Sequence, residues 1–255
     1  MTPPSASLAE QGRALNAASA GRLPADVVAA FDRSRAALIA GGVPSGVVAV
    51  GTPLPDVSLV DALGVTTSLF AVTGARPAVL VFYRGTWCPY CNLALHAYSE
   101  QLLAPLTERG IGLVAISPQT PDGSLSMQEK HALQFPVVSD VGNALAGRLG
   151  ILMPSRPAEV RAAQEKLGLD LEAVNADGTD ALPLPTVVLV DGAHVVRWIE
   201  VRPDYATRTE VVDILAAADA VLAPSAQPRA GRWRGATPGE LQAWEGPHRD
   251  MPDVL

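Results

Sequence analysis

Cys88 and Cys91 are the only cysteines in the 255-residue chain, and two residues separate them in the stretch RGTWCPYCN, residues 84–92. Close cysteine pairs hold metal ions, form structural bridges, or cycle between dithiol and disulfide. A structural zinc site takes four ligands, whereas this chain has no second cysteine pair and no paired histidines. Two inert buried cysteines remain an alternative. The pattern favours a redox pair.

The neighbouring residues predict where the pair lies in the fold. Residues 77–84, PAVLVFYR, are a continuous apolar run typical of a strand buried on both faces. Beyond the cysteines, apolar residues recur every three or four positions as far as Glu108, which predicts a helix. Pro89 suits the first helical position, so Cys88 becomes the N-cap and Cys91 the third helical residue. Side chains at these two positions meet in a capping box, so the sulfurs can approach each other.

This position also predicts reactive thiols. The free N–H groups and the dipole of a helix N-terminus favour an anion and lower the pKa of a thiol there. Arg84, at the end of the strand, either adds a positive charge to the site or is a surface charge. His96 follows Cys91 by five residues, which turns it well around the helix from the sulfur. We expect His96 to be exposed and not to act as a base.

The rest of the chain predicts an α/β fold with a mixed central sheet flanked by helices. Strands alternate with helices along most of the sequence. Residues 56–72 alternate in polarity around Gly64, which indicates an early hairpin, and a second hairpin follows at residues 182–201.

The ends of the chain differ in composition from its centre. Residues 1–24, rich in Ala, Ser and Pro, indicate a loose arm before a helix at 25–42. The predicted organisation is an N-terminal arm and helix, a central domain, and an Arg/Gly/Pro-rich tail, at residues 1–47, 48–223 and 224–255.

Composition narrows the expected partners and location. The net charge of −7 argues against nucleic acid and against an anionic membrane surface. No signal peptide and no run of 18 apolar residues is evident, so we expect a cytoplasmic protein, where close cysteine pairs are more often catalytic or metal-binding than structural. No glycine-rich nucleotide-binding turn occurs. We therefore expect no metal, flavin or nucleotide cofactor.

Five segments carry a family resemblance: VFYRGTWCPYCN, GLVAISPQTPD, FPVVSD, LPLPTVVLVDG and RPDYATRTEVVDIL. In this order, over about residues 50–222, the chain resembles the peroxiredoxin-like (redoxin) branch of the alkyl hydroperoxide reductase/thiol-specific antioxidant family. The resemblance implies a thioredoxin-like fold, in which a cis proline before the edge-side hairpin faces the redox cysteines. Pro185 occupies that place, with an ordinary turn proline that leads into a strand as the alternative. Thr86 and Trp87 are expected to shape the substrate pocket, by hydroxyl contact and by shielding; for Trp87, plain packing is an equal alternative.

The resemblance leaves two assignments for the attacking sulfur. Peroxiredoxins commonly carry Pro-x-x-x-Thr-x-x-Cys, and this register puts Cys91 at the peroxide-attacking cysteine, Cys88 at the threonine and Arg84 at the proline. Thioredoxins instead use the first cysteine of the pair. The proline and threonine of the motif are absent here, and the sequence does not place the arginine that normally polarises the peroxide.

The resulting hypothesis is a thiol-dependent peroxidase. Cys91 attacks a hydroperoxide, Cys88 closes the disulfide, and thioredoxin or another dithiol reduces it; the chain is compatible with a homodimer. The first alternative is a general thiol:disulfide oxidoreductase with Cys88 as nucleophile. A second alternative is a redox-sensing binding module whose tail, with Trp233 and Trp244, contacts a partner.

Overall fold

The computed structural model describes residues 6–19 and 21–222. The tail predicted at residues 224–255, with Trp233 and Trp244, lies outside the described residues. The helices are α1 (Leu8–Ser19), α2 (Ala25–Gly41), α3 (Leu69–Thr73), α4 (Pro89–Gln101), α5 (Leu103–Glu108), α6 (Pro121–Lys130), α7 (Ala144–Leu149), α8 (Ala158–Lys166), α9 (Leu171–Val174) and α10 (Val211–Leu222). The strands are β1 (Ser58–Asp61), β2 (Thr66–Ser68), β3 (Ala78–Phe82), β4 (Gly112–Ser117), β5 (Val137–Ser139), β6 (Thr186–Val190) and β7 (Val196–Val201).

One seven-stranded sheet organises these elements, in the order β2-β1-β5-β4-β3-β6-β7. Its central strands β3, β4 and β5 run parallel, whereas β6 is antiparallel to β3 and forms the late hairpin with β7. The β1–β2 hairpin joins the other side through β5. The predicted mixed sheet is confirmed. None of the described helices is both long and apolar enough to cross a bilayer.

Strand β3 divides the apolar core into two layers because its successive side chains point to opposite faces. Val79 and Val81 belong to the layer that contains both cysteines and the helix α4. Leu80 and Phe82 belong to the layer on the other face, which α7 covers. Both faces of β3 are therefore buried, which accounts for its unbroken apolar run. The carboxyl end of the strand leads into the cysteine loop.

The loose arm predicted for residues 1–24 is wrong over α1. A capping box begins this helix: the Ser7 N–H donates to Glu10 Oε2 (2.8 Å), and the Glu10 N–H donates to Ser7 Oγ (3.2 Å). Leu8 is buried in the same core layer as the cysteines, and α1 packs against α4. Packing of one apolar side decides that this Ala-rich segment is helical.

The single helix predicted from Cys91 to Glu108 is interrupted. It ends at Gln101, and α5 begins at Leu103 after the buried Leu102. Pro105 explains the break, since it has no N–H to donate to the carbonyl four residues earlier.

Candidate active site

The cysteines lie where β3 passes through a short loop into α4. Pro89 is the first helical residue and Cys88 the N-cap, as predicted, with backbone angles φ −89° and ψ 111° at Cys88. Both are free thiols, and their side chains are buried in the core, 1% and 0% exposed at Cys88 and Cys91. The cysteine site is thus enclosed by the surrounding side chains.

The loop before the cysteines is held by Gln119, which follows β4. The Thr86 N–H donates to Gln119 Oε1 (2.9 Å), and Gln119 Nε2 donates to the Tyr83 hydroxyl (3.1 Å). The Thr86 hydroxyl also donates to Gln119 Oε1, at 3.4 Å. Gly85 has φ +150°, and a Cβ there would lie 2.5 Å from Trp87 Nε1. Only glycine therefore lets the indole of Trp87 fold over this loop.

Arg208 is the residue that the sequence reasoning missed. It comes from the loop between β7 and α10, is 8% exposed, and its Nη2 donates to Cys91 Sγ at 3.0 Å and to Cys88 Sγ at 3.6 Å. Its Nη1 donates to the carbonyls of Tyr205 (2.7 Å) and Thr207 (2.6 Å), which fixes the guanidinium. The segment RPDYATRTEVVDIL contains this arginine, but only the fold brings it to the sulfurs from 117 residues away.

Arg84 is buried, at 7% exposed, so the alternative of a surface charge is wrong. Its guanidinium stacks between two aromatic rings, 4.7 Å from the centroid of Trp87 and 4.5 Å from that of Tyr205. The backbone N–H of Arg84 donates to Cys91 Sγ (3.4 Å). The Nε of Arg84 and the Nε1 of Trp87 are buried without a hydrogen-bond partner. The structure therefore brings Arg84 and Trp87 together with the cysteine pair.

The two sulfurs differ in acidity. Burial raises the pKa of Cys91, but the hydrogen bond from Cys88, the charge of Arg208 and the N–H of Arg84 outweigh it, so that pKa lies well below its ordinary value. Burial raises the pKa of Cys88 well above its ordinary value, and the anionic neighbour raises it further. These shifts favour a Cys91 thiolate beside a protonated Cys88.

Pro185 is not the cis proline that the resemblance implied: no described peptide bond is cis. The trans form is the intrinsic preference of an X–Pro bond, and here the extended chain enters β6 directly, with the Pro185 carbonyl accepting the Arg202 N–H (2.8 Å). The next residue, Thr186, pairs with Phe82, which places Pro185 beside the carboxyl end of β3.

The hydrogen bonds to the two sulfurs come from Arg84 and Arg208, and none comes from a histidine among the described residues. His96 is exposed on α4, as predicted, and its ring centroid lies 6.1 Å from that of His131. Across residues 6–19 and 21–222, no group of three or more His, Cys, Asp or Glu side chains is placed to hold a metal ion.

A known protein is similar to about half of the chain in sequence. Peroxiredoxin Q, chloroplastic, from Triticum aestivum is 28% identical over 130 residues, which are 51% of this chain and 59% of that protein. The match therefore spans less than two thirds of the relative's length.

Solved structures show the fold. Peroxidoxin BcpB from Mycobacterium tuberculosis has a TM-score of 0.51 at 19% identity, over 68% of this chain and 97% of that chain. A peroxiredoxin-like protein from Aquifex aeolicus has a TM-score of 0.54 at 14% identity, over 69% and 89% of the two chains. The fold is thus a thioredoxin-like α/β fold of the kind found in peroxiredoxins. Since the model of the AhpC/TSA family matches residues 50–199, more than half of the sequence, the chain belongs to the AhpC/TSA family.

Proposed function

We propose that the protein is a thiol-dependent peroxidase that reduces hydrogen peroxide or organic hydroperoxides, with Cys91 as the attacking thiolate. The observation that carries this assignment is the 3.0 Å contact from Arg208 Nη2 to Cys91 Sγ. The same guanidinium lies farther from Cys88, at 3.6 Å. The contact supports the family register, in which the second cysteine of the pair attacks.

The chemistry follows from the two protonation states. The Cys91 thiolate attacks the O–O bond and becomes a sulfenic acid, and the leaving alkoxide takes a proton from the adjacent Cys88 thiol. The Cys88 thiolate so formed displaces hydroxide from the sulfenic acid, and a solvent proton completes the water. The products are water, the 88–91 disulfide and an alcohol, or a second water where the substrate is hydrogen peroxide; the disulfide protects Cys91 from irreversible over-oxidation.

Two arginines serve this step in different ways. Arg208 holds the thiolate in place and stabilises it as an anion. Arg84 adds positive charge from its position between Trp87 and Tyr205, where it can also meet the negative charge that develops on the peroxide oxygen. Thr86 and Trp87 shape the loop around the sulfur. Pro185 is proposed to line the site beside the carboxyl end of β3.

The cycle closes when thioredoxin or a similar dithiol reduces the disulfide by thiol exchange. A reducing compartment such as the cytoplasm, which we propose as the location, supplies such dithiols. The proposed assembly state of the enzyme is a homodimer.

Stopped-flow oxidation by hydrogen peroxide, with intact-mass readout, tests the assignment on Cys88→Ser and Cys91→Ser. We expect Cys91→Ser to react no faster than a free thiol. Cys88→Ser should add a single oxygen in the first turnover and then over-oxidise, because no second thiol closes the bridge. Full turnover by Cys91→Ser alongside a dead Cys88→Ser would reverse the two roles.

The alternative of a general thiol:disulfide oxidoreductase is supported by one feature: both sulfurs lie at the start of one helix, within reach of the same guanidinium. Insulin reduction separates the two functions. If the parent protein reduces insulin disulfides and does not consume hydrogen peroxide, the oxidoreductase function replaces the peroxidase.

A further inference from the structure

The redox site buries two guanidinium groups, those of Arg84 and Arg208. In the described part of the chain, no ion pair joins Arg84 or Arg208 to an aspartate or glutamate. Asp204, in the same loop as Arg208, is bound instead by two guanidinium nitrogens of Arg35, at 2.5 and 2.7 Å. A buried charge without a counter-charge is strongly unfavourable. The Cys91 sulfur is the group that can supply the counter-charge here.

The counter-charge exists in only one redox state. In the dithiol state the site contains one thiolate and two guanidiniums, a net charge of about +1. In the disulfide state neither sulfur carries a charge, so the net charge is about +2, and Arg208 Nη2 loses its anionic acceptor. The aromatic rings that stack on Arg84 are present in both states and do not change this difference. Oxidation therefore leaves the charges of both arginines uncompensated.

A disulfide whose reduced form is selectively stabilised is a strong oxidant. We propose that the Cys88–Cys91 disulfide is strongly oxidising, because the buried Arg84 and Arg208 favour the dithiol state, and that the protein transfers disulfides to partner dithiols. The partner class is a pair of protein or peptide thiols less reducing than thioredoxin. This inference rests on the proposed redox cycle and names the partner of the same site.

The exchange proceeds through a mixed disulfide. A client thiolate attacks Cys88 Sγ, because Cys91 is the better leaving group when Arg208 stabilises it as a thiolate. The second client thiolate then attacks the client sulfur and releases Cys88, which takes up one proton. The client loses two electrons and two protons; the protein gains the two electrons, and the second proton goes to solvent. Hydroperoxide restores the disulfide in the proposed peroxidase step.

Equilibration of the full-length protein with reduced and oxidised glutathione under anaerobic conditions tests the inference. Alkylation and intact mass give the reduced fraction. We expect the protein to be mainly reduced in buffers that leave thioredoxin mainly oxidised. Arg84→Met should shift the equilibrium constant toward the disulfide about tenfold, which corresponds to about 30 mV, and Arg208→Met about 100-fold, or about 60 mV.

Two further variants separate charge from packing. Arg84→Lys keeps the charge, so its equilibrium constant should lie within about threefold of that of the parent, where a change of about tenfold corresponds to about 30 mV. Arg156→Met is the matched control, since Arg156 is also largely buried but is paired with Asp180 (2.7 Å) and belongs to a different part of the chain. It should leave the glutathione equilibrium unchanged. If Arg84→Met behaves like Arg156→Met, or if the parent is as reducing as thioredoxin, the inference is overturned.

A transfer assay with a synthetic Cys-x-x-Cys peptide completes the test. The oxidised protein should oxidise one equivalent of the reduced peptide, and recovery of the reduced peptide unchanged would contradict disulfide transfer. The outcomes distinguish the two proposals. A protein that oxidises the peptide but does not react with peroxide retains this inference and loses the peroxidase function, and the converse result retains only the peroxidase.

Discussion

Two regions of the molecule bury charge, and they stabilise it by different means. Asp140, after β5, accepts the N–H groups of Leu145 (3.0 Å) and Ala146 (2.9 Å) at the start of α7. Arg208 instead donates to two cysteine sulfurs on the other side of the sheet. Backbone donors are fixed by the helix and do not change with conditions. A thiolate is a partner that protonation or oxidation removes. Compensation of the Arg208 charge is therefore coupled to the redox state of the sulfur, whereas stabilisation of the Asp140 charge is not.

The pKa values reflect the same contrast. Burial raises the pKa of Asp140, even though the N–H groups of α7 oppose it. At Cys91 the partners outweigh burial, and the pKa is lowered. The surroundings of Asp140 therefore disfavour the charged form of its carboxyl group, whereas the surroundings of Cys91 favour the thiolate.

The largest expected effect is on thiol reactivity in Arg208→Met. Removing the guanidinium raises the pKa of Cys91 and leaves the thiol buried, so the alkylation rate at about pH 6–7 should fall roughly 100-fold, because the thiolate is the nucleophile. Iodoacetamide kinetics followed by intact mass give this rate. Asp140→Asn is the control and should retain the parent rate. Equal alkylation rates in Arg208→Met and the parent would show that the guanidinium does not stabilise the Cys91 thiolate.

A smaller effect is expected on stability at Asp140. Asp140→Ala leaves two N–H groups of α7 without their acceptor and should lower the free energy of unfolding by about 1–3 kcal/mol. Asp140→Asn keeps an acceptor oxygen and removes the buried charge, so its loss should be below about 1 kcal/mol. Urea unfolding of the reduced proteins measures both values. Equal losses in the asparagine and alanine variants would show that the charge itself, and not the acceptor oxygen, stabilises α7.

The pH dependence of stability should differ in sign between the two regions. The folded-state pKa of Cys91 is lowered, so its contribution is fully present above the ordinary thiol pKa near 9 and is lost as pH falls through the folded pKa. Between those two pKa values, the unfolding free energy of the reduced parent should rise with pH relative to Cys91→Ser, with a slope of about 1.4 kcal/mol per pH unit. Urea unfolding of both proteins across this range measures the slope, and a flat difference would contradict the lowered pKa.

For Asp140 the sign is opposite. Its folded-state pKa is raised, so its contribution is present below about pH 4 and is lost as pH rises through the folded pKa. Relative to Asp140→Asn, the parent should become less stable across that acidic window. A parallel pH profile for the two proteins would contradict the raised pKa.

The smallest expected effect concerns the same kind of contact at a more exposed place. Glu210 accepts the N–H groups of Leu8 (2.9 Å) and Ala9 (2.8 Å), the first residues of α1. Glu210→Gln should cost at most about 1 kcal/mol, because solvent screens a half-buried charge at a helix N-terminus. Hydrogen exchange of α1 should quicken while that of α7 stays unchanged. Unaltered exchange in α1 would indicate that Leu8 packing alone holds the helix.

Much of the fold follows from local pattern. The continuous apolar run of β3, the alternating β1–β2 hairpin and the position of Pro89 each have one favourable local conformation, and the structure has all three as predicted. Where the prediction rested on composition alone, as in α1, it was wrong. The capping box of Ser7 and Glu10 was the signal that could have corrected it.

By itself, the sequence determined the strand, the helix start and the close approach of two sulfurs, because those depend on residues within one turn of chain. Only the tertiary structure decided which sulfur has the lowered pKa. Arg208 reaches Cys91 across 117 residues of sequence, and Arg84 is buried only because Trp87 and Tyr205 close over it. Charge stabilisation depends on distance and on exclusion of water, and chain spacing specifies neither for residues so far apart.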